Sequence, residues 1–409
     1  MQSFQAPSSG PSRFMDPGTP PHVFTLTFVA AAAAMSMNVF LPSLPGMALY
    51  FKTEYHVVQL SVALYLLVNA VMQIIVGPLS DRFGRRPVVL YGFFIYILAS
   101  VGCVFAPNIA IFLTFRMLQA TVVAGMVLSR ATVRDMVPDA QAASMIGYVT
   151  MGMSIVPMIG PSIGGIFDEA FGWKANFWLQ AITGATALWL AWGNWGETSS
   201  PRAGGFAEQL RAYPALLSSP RFWGYSLTAA LTSGAFFAYL GGAPYVGTNI
   251  YNMAPARLGF FFGAPAAGYL IGNFLSGRYS VRIGMNNMVL FGAMTTASGM
   301  LMSMFFFTLG YSSEYVFFGF MILVGVGNGL TLPNANAGLM GVRPDLAGSA
   351  AGLGGALMIG GGAALSALSG ILLGDGKSAM PLLWVMLISA LLSLVSILYV
   401  IHRARKLGL

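Results

Sequence analysis

Long apolar segments follow one another along almost the whole chain, each long enough to cross a hydrocarbon layer. A helical span needs about 18–20 mostly apolar residues. Such segments fall at about 24–45, 57–79, 87–106, 109–133, 141–167, 173–196, 222–246, 256–277, 286–308, 315–339, 349–373 and 380–401. In lipid the backbone must satisfy its own hydrogen bonds, which leaves only helices and closed barrels. The segments lack the period-2 alternation of barrel strands, so they read as twelve transmembrane helices. Charged residues are 8% of the chain, where a soluble domain carries roughly 25%. The expected fold class is an all-α membrane protein whose main partner is the lipid bilayer.

The polar stretches divide the chain. Residues 1–22, rich in Pro, Ser and Gly, read as a disordered tail. The longest internal polar stretch, 197–221, reads as a linker between a half at 23–196 and a half at 222–409. The cations set the orientation. With the N-terminus inside, fourteen Lys and Arg fall in inner segments and four, Lys52, Lys174, Arg257 and Lys377, in outer ones. That bias places both termini on the cytoplasmic side, and the expected location is a bacterial inner membrane. The net charge of +8 is spread over short loops and forms no nucleic-acid stripe. One cysteine, Cys103, excludes a disulfide framework.

The halves repeat. Residues 77–84 read GPLSDRFG and residues 277–284 read GRYSVRIG, so Gly77, Ser80, Arg82 and Gly84 recur as Gly277, Ser280, Arg282 and Gly284. Both copies fall between the second and third span of their half, and Val281 stands where the first copy has Asp81.

Three motifs carry candidate chemistry. The first is Gly77-Pro-Leu-Ser-Asp81-Arg82-Phe-Gly84-Arg85-Arg86-Pro87. It reads as a charged hairpin, with glycines permitting a tight turn and a carboxylate suited to a helix N-terminus. It resembles the loop signature of the major facilitator superfamily. The resemblance implies the major facilitator fold, with two pseudo-symmetric six-helix halves, and a chain that works as a monomer. It also implies that Asp81 docks on the other half to close the cytoplasmic side, with Arg85 a partner of Asp135. The alternative is a solvated basic loop that sets topology alone. The second motif, Arg116-Met-Leu-Gln119-Ala120, lies inside the fourth span and is similar to another signature of that superfamily. An ionisable group roughly 10 Å deep is a functional candidate; snorkelling to the interface is the alternative. Arg130, fourteen residues on, faces within about 40° of Arg116 on an ideal helix, and Arg134 and Asp135 follow. The third motif, in the fifth span, holds Gly147, Pro157, Gly160, Pro161, Gly164 and Gly165. It resembles the superfamily's antiporter signature and reads as a bent, close-packed hinge and seal; simple helix packing is the alternative.

Further segments narrow the resemblance: Asn38-Val-Phe-Leu41-Pro42-Ser-Leu-Pro45, Trp173-Lys174-Ala-Asn-Phe177, Glu197-Thr198, and Asp345-Leu-Ala347-Gly348-Ser349-Ala350. Over about 24–400 the chain resembles the bicyclomycin and chloramphenicol resistance branch of drug–proton antiporters. Many relatives carry an aspartate, implicated in proton coupling, where Asn38 stands. All twelve acids of this chain fall in tails, loops or span ends, so Asp135 is the leading proton carrier, coupled to Arg130 or Arg116. The expected substrate cavity lies between the halves near the midplane. Met35, Asn38, Tyr65, Asn69, Met72, Gln119, Phe236, Phe237, Asn328, Asn334 and Asn336 are its candidate lining. Met and aromatic side chains suit varied apolar compounds, and a buried amide needs a partner.

These residues point to secondary active efflux of small amphipathic compounds in exchange for protons. A facilitator or importer of a dedicated metabolite is the alternative. No HExxH pair and no GxxxxGK[ST] loop occurs, so neither a zinc enzyme nor an ATP-driven pump is expected, and no metal or cofactor.

Overall fold

The computed structural model describes residues 14–16, 18–136, 139–198, 213–343, 346–374 and 378–406. The side chains of 139–144, 147–148, 150–152, 154–155, 157–158 and 347–348 lie outside that description. Twelve long helices follow the twelve apolar segments. They are α1 (Val23–Phe51), α2 (Tyr55–Phe83), α3 (Arg85–Phe105) and α4 (Ile109–Met136), then α5 (Asp139–Phe171) and α6 (Lys174–Asn194). The second half has α7 (Pro220–Tyr245), α8 (Pro255–Ile283), α9 (Met285–Thr308), α10 (Glu314–Met340), α11 (Ala347–Leu373) and α12 (Met380–Lys406). No strand occurs among the described residues.

Among the described residues, nine of these helices hold an 18-residue window of mean hydropathy 1.4 to 2.5. α5, α6 and α7 are outside that set, and for α6 and α7 their packing explains why. Nearly all of α7 is buried, so small polar residues such as Thr228, Thr232 and Ser233 face protein and not lipid. α6 turns Asn176, Gln180 and Asn194 inward while Trp178, Ile182, Trp189 and Trp192 stay exposed. α3, α9 and α12 likewise expose apolar rows, for example Tyr91, Phe94, Leu98 and Phe105 on α3. Apolar area this large and continuous belongs against lipid tails.

Several helices are interrupted for readable reasons. α1 stops at Asn38, passes through a 3₁₀ turn at Leu41–Ser43, and resumes at Leu44. Pro42 and Pro45 have no N–H to continue the i→i−4 ladder, so the break falls where they stand. α7 carries Pro244 in its last turn and ends in a π-helical turn, Val246–Ile250. α4 contains a 3₁₀ stretch at Gln119–Val122.

The repeat is geometric as well as sequential. Gly84 and Gly284 both take left-handed backbone, φ +94° and +90°. Each donates its N–H to the carbonyl of the serine four residues earlier, Ser80 or Ser280, at 2.9 Å. Both helices α2 and α8 therefore run straight through the motif and turn on one glycine.

One end of the bundle, the arginine-rich face, holds Arg82, Arg85, Arg86, Arg134, Arg278, Arg282, Arg403 and Arg405. At the other end the buried apolar core is continuous across both halves, joining Val39, Leu41, Val62 and Leu66 to Tyr239, Phe317, Met386 and Ala390. At the arginine-rich face it divides. One cluster, including Val29, Phe93 and Trp195, belongs to the first half, and another, including Phe222, Val289 and Ile397, to the second. At the N-terminus the described residues before α1 pack on α6. Met15 lies against Gly193, and the His22 N–H donates to Asn194 Oδ1 at 2.8 Å.

Candidate functional site

On the arginine-rich face a charged network surrounds the α2–α3 turn. Arg85 reaches Asp81 at 2.7 Å and Asp135 of α4 at 3.2 Å. It also donates to Ser80 Oγ, and Thr198 Oγ1 donates to Asp135 at 3.4 Å. Asp81 is not at a helix N-terminus: it sits in the last turn of α2, where the helix dipole disfavours a carboxylate. The Arg85 guanidinium offsets that penalty. The N-terminal carboxylate is instead Glu197, whose two oxygens accept the Arg85 and Arg86 backbone N–H groups at 2.9 and 3.2 Å. These are orphan donors of the first turn of α3. A Cβ on Gly84 would stand 2.3 Å from Glu197 Oε2. Arg82 stacks on Phe83, and Arg134 is exposed at the end of α4.

Arg116 is 1% exposed and lies wholly inside the first half. Its Nε donates to Ser61 O at 3.2 Å and its Nη2 to Ser36 O at 2.9 Å. Nη1 serves Ser36 Oγ at 3.2 Å and Gln119 Oε1 at 2.7 Å. Phe40 and Tyr65 cover the guanidinium at 4.3 and 3.9 Å from their ring centroids. Every one of these partners is neutral. Gln119 passes the network on to Ser100 Oγ at 2.7 Å and Gln180 Oε1 at 3.1 Å. The Ser36 carbonyl lies just before the break in α1, so the guanidinium ties that break to α2 and α4. Arg130 is exposed and bonds only weakly back to Met126 O, at 3.4 Å. The two arginines thus occupy different surroundings, one buried inside the first half and the other exposed nearer the arginine-rich face. The 3₁₀ stretch between them adds roughly 80° of turn and carries their offset from about −40° to about +40°, so they part by depth, about 20 Å along α4, and not by facing.

The face opposite the arginines is closed by contacts between halves. Backbone meets backbone where α5 crosses α8: a Cβ on Gly165 would lie 2.2 Å from Pro255 O, and one on Gly259 2.3 Å from Pro161 O. Ser162 Oγ donates to Gly259 O at 3.0 Å. Tyr55 OH donates to Gly241 O at 2.7 Å. The Gln59 amide of α2, 1% exposed, donates to Ser366 O and, at 3.2 Å, to Ser366 Oγ of α11. Within the first half, a Cβ on Gly164 would lie 1.6 Å from Val39 O, while Gly160 faces Asn38 more loosely at 3.9 Å. Gly147 and Pro157 fall outside the described side chains.

The remaining cavity candidates are dispersed. Asn38, Asn328 and Asn334 each donate to the carbonyl four residues back in their own helix, at 3.0, 3.1 and 2.8 Å. The partner a buried amide needs is thus local. Asn334 also reaches Ser276 Oγ of α8 at 2.7 Å, and the buried Asn328 Oδ1 has no partner among the described residues. Asn69 Oδ1 accepts from Gln73 at 3.0 Å. Met35, Met72 and Phe236 keep partial exposure and Asn336 is exposed, while Tyr65, Gln119 and Phe237 are buried. Phe237 is held by Gly362, whose Cβ would meet its ring at 2.1 Å. Gln59, Asn176 and Glu197 were not singled out from the sequence as site residues. A polar side chain in an apolar run could have flagged Gln59. Ser36 and Ser61 act chiefly through carbonyls, which leave no trace in side-chain identity.

Comparison with known proteins agrees with this architecture. The sequence profile of the Major Facilitator Superfamily matches residues 26–367. An uncharacterized MFS-type transporter of Bacillus subtilis, YdgK, is 29% identical over 90% of this chain and 92% of its own. A chloramphenicol resistance protein of Pseudomonas aeruginosa is 33% identical over 56% of this chain and 54% of its own. Multidrug resistance protein D of Escherichia coli is 26% identical over 88% and 90%. An inward-facing, occupied structure of a bacterial homologue of the human lysosomal transporter Spinster superposes with a TM-score of 0.69 at 15% identity, over 94% of this chain and 96% of that one. At that identity the likeness shows the fold alone. The chain belongs to the Major Facilitator Superfamily and is a multi-pass membrane transporter, not an enzyme.

Proposed function

We propose that this transporter exports small amphipathic compounds from the cytoplasm in exchange for protons, by alternating access. The observation that carries the reading is the division of the apolar core, continuous at one face and split between the halves at the other. Two bodies packed most continuously at one end, with α2 and α11 in touch as far as Gln73 and Gly355, are suited to rocking about a central site. Residues 23–196 and 222–409 are the proposed bodies, with 197–221 as linker, working as a monomer in the inner membrane. The arginine-rich face is cytoplasmic on the positive-inside rule, so this conformation opens inward. Asp81 pairs with Arg85 inside its own half here, and in the proposed outward-open state it engages the other half. Export, and the drug-like class of cargo, are supported by relatives named for chloramphenicol and multidrug resistance.

Asp135 is the proposed proton carrier, linked through Arg85 to Asp81. The cavity is proposed to involve Met35, Met72, Phe236 and Asn336, which keep exposure in this conformation. A metabolite facilitator is the second reading, favoured by Asn38 and by the neutral partners of Arg116. Cells lacking their own efflux systems, loaded with a fluorescent lipophilic cation, test the proposal. Expression should speed its loss severalfold, the effect should collapse with an uncoupler, and Asp135→Asn should abolish the uncoupler-sensitive part. Full proton-driven efflux by Asp135→Asn would remove Asp135 from the mechanism.

A further inference from the structure

The α5 glycines and Trp173–Phe177 at the start of α6 meet at the break in α1. Asn176 is fully buried. Its Nδ2 donates to Ser43 Oγ in the 3₁₀ turn of the break at 2.9 Å, and to Gly164 O of α5 at 3.0 Å. A carbonyl only accepts, so the amide orientation follows from the Gly164 contact. The neighbouring Phe177 ring packs on Phe40 of the break at 5.7 Å. Gly164 itself rests against Val39 O, so closely that no Cβ fits. The next residue, Gly165, turns to the other side of α5 and meets Pro255 of the second half with similarly little room.

We propose that Asn176 is a positioning residue for transport: it locks the α1 break to α5 and thereby holds Pro161–Gly165 in register against α8. This rests on the alternating-access reading above. The physical basis is that backbone-on-backbone contacts are intolerant of displacement. A helix held only by apolar packing slides by tenths of an ångström, whereas a buried amide spanning two segments fixes both. α5 has two other side-chain ties nearby, Ser162 to Gly259 O of α8 and Asp168 to Ser43 of the break, but only Asn176 holds the Gly164 carbonyl, where the glycines supply no side chain to interlock. Asn176 keeps both its hydrogen bonds inside the first half. It acts through Gly164 on the one side and Ser43 on the other, so its loss loosens the seal without removing any group from it.

The test uses the full-length protein in membranes with paired cysteines at Glu169 and Ala256. These residues face each other across the seal, where the Ala256 N–H lies 3.3 Å from Glu169 Oε2. The native Cys103 is buried. A short bis-thiol reagent reports how often the α5 and α8 ends meet. Asn176→Ala loses both donated bonds and should slow cross-linking at least fivefold. Asn176→Asp, ionised at high pH, accepts from Ser43 but cannot donate to Gly164 O and should slow it about fivefold, the equivalent of one lost net hydrogen bond. Ser43→Ala keeps that bond and should slow it about twofold. An unchanged rate in folded Asn176 variants overturns the assignment. If those variants do not reach the membrane, an unchanged rate in Ser43→Ala overturns it alone. Transport by the cross-linked parent is a separate readout: full activity there refutes alternating access and leaves the rate comparison to decide Asn176.

Discussion

Replacing Gln59 by leucine should weaken the closed face opposite the arginines without disturbing either half. The side chain is 1% exposed and crosses from α2 to α11, donating to both the carbonyl and the hydroxyl of Ser366. It fits a slot made by two glycines: a Cβ would stand 2.2 Å from its Nε2 at Gly241 and 1.6 Å from its Oε1 at Gly370. Leucine has similar bulk but no donors. Each neutral hydrogen bond contributes about 1 kcal/mol net, so two give roughly 2 kcal/mol. When the halves part, water replaces these bonds, so the loss falls on the joined state alone. That shifts the ratio of joined to separated molecules by about thirtyfold. Spin labels at Glu54 and Tyr311, in loops of the two halves, report the separation as a distance distribution. The expected result is a longer-distance population that is larger in Gln59→Leu than in the parent. Identical distributions in parent and variant would refute the idea that this amide holds the face closed.

Three further outcomes follow from the same geometry. Gly84→Ala should lower the melting temperature more than Gly284→Ala: both force alanine into positive φ, costing about 1–2 kcal/mol, but only Gly84 also meets Glu197, while the nearest atom to Gly284 is 4.0 Å away. Glu197→Gln should lose about 0.3–1 kcal/mol from the α3 N-terminus, with the loss shrinking at high salt in thermal melts. Arg116→Lys keeps the charge but not the planar fork that serves Ser61, Ser36 and Gln119 together. It should cut transport at least tenfold in a substrate-efflux assay, and wild-type rates would show that the charge alone suffices.

Much of the fold was legible because lipid permits so few solutions. The apolar segments located the helices, and Pro42 and Pro45 stood where α1 breaks. The repeated Gly84 and Gly284 marked two turns that only glycine makes easily. The site was harder to read. Glu197 caps a helix that begins 112 residues earlier in the chain, and no local pattern signals such a contact. Arg116 and Arg130 differ by depth, about 20 Å apart along α4, and the neighbours that bury one and leave the other exposed come from α1 and α2, which helix periodicity in α4 does not signal. The asparagines were singled out for needing partners. Three of them found one in their own helix, so their burial says less about the cavity than an unpartnered amide would.

Everted membrane vesicles energised to an acidic interior test the central claim most directly. Phenicols, bicyclomycin-like compounds and lipophilic cations are added in turn while a lumenal pH dye is followed. Proton-coupled export predicts that at least one compound raises lumenal pH in vesicles containing the protein and not in vesicles without it, and that Asp135→Asn removes the response. Compound movement by counterflow with no pH response to any of the panel would contradict proton exchange and favour the facilitator.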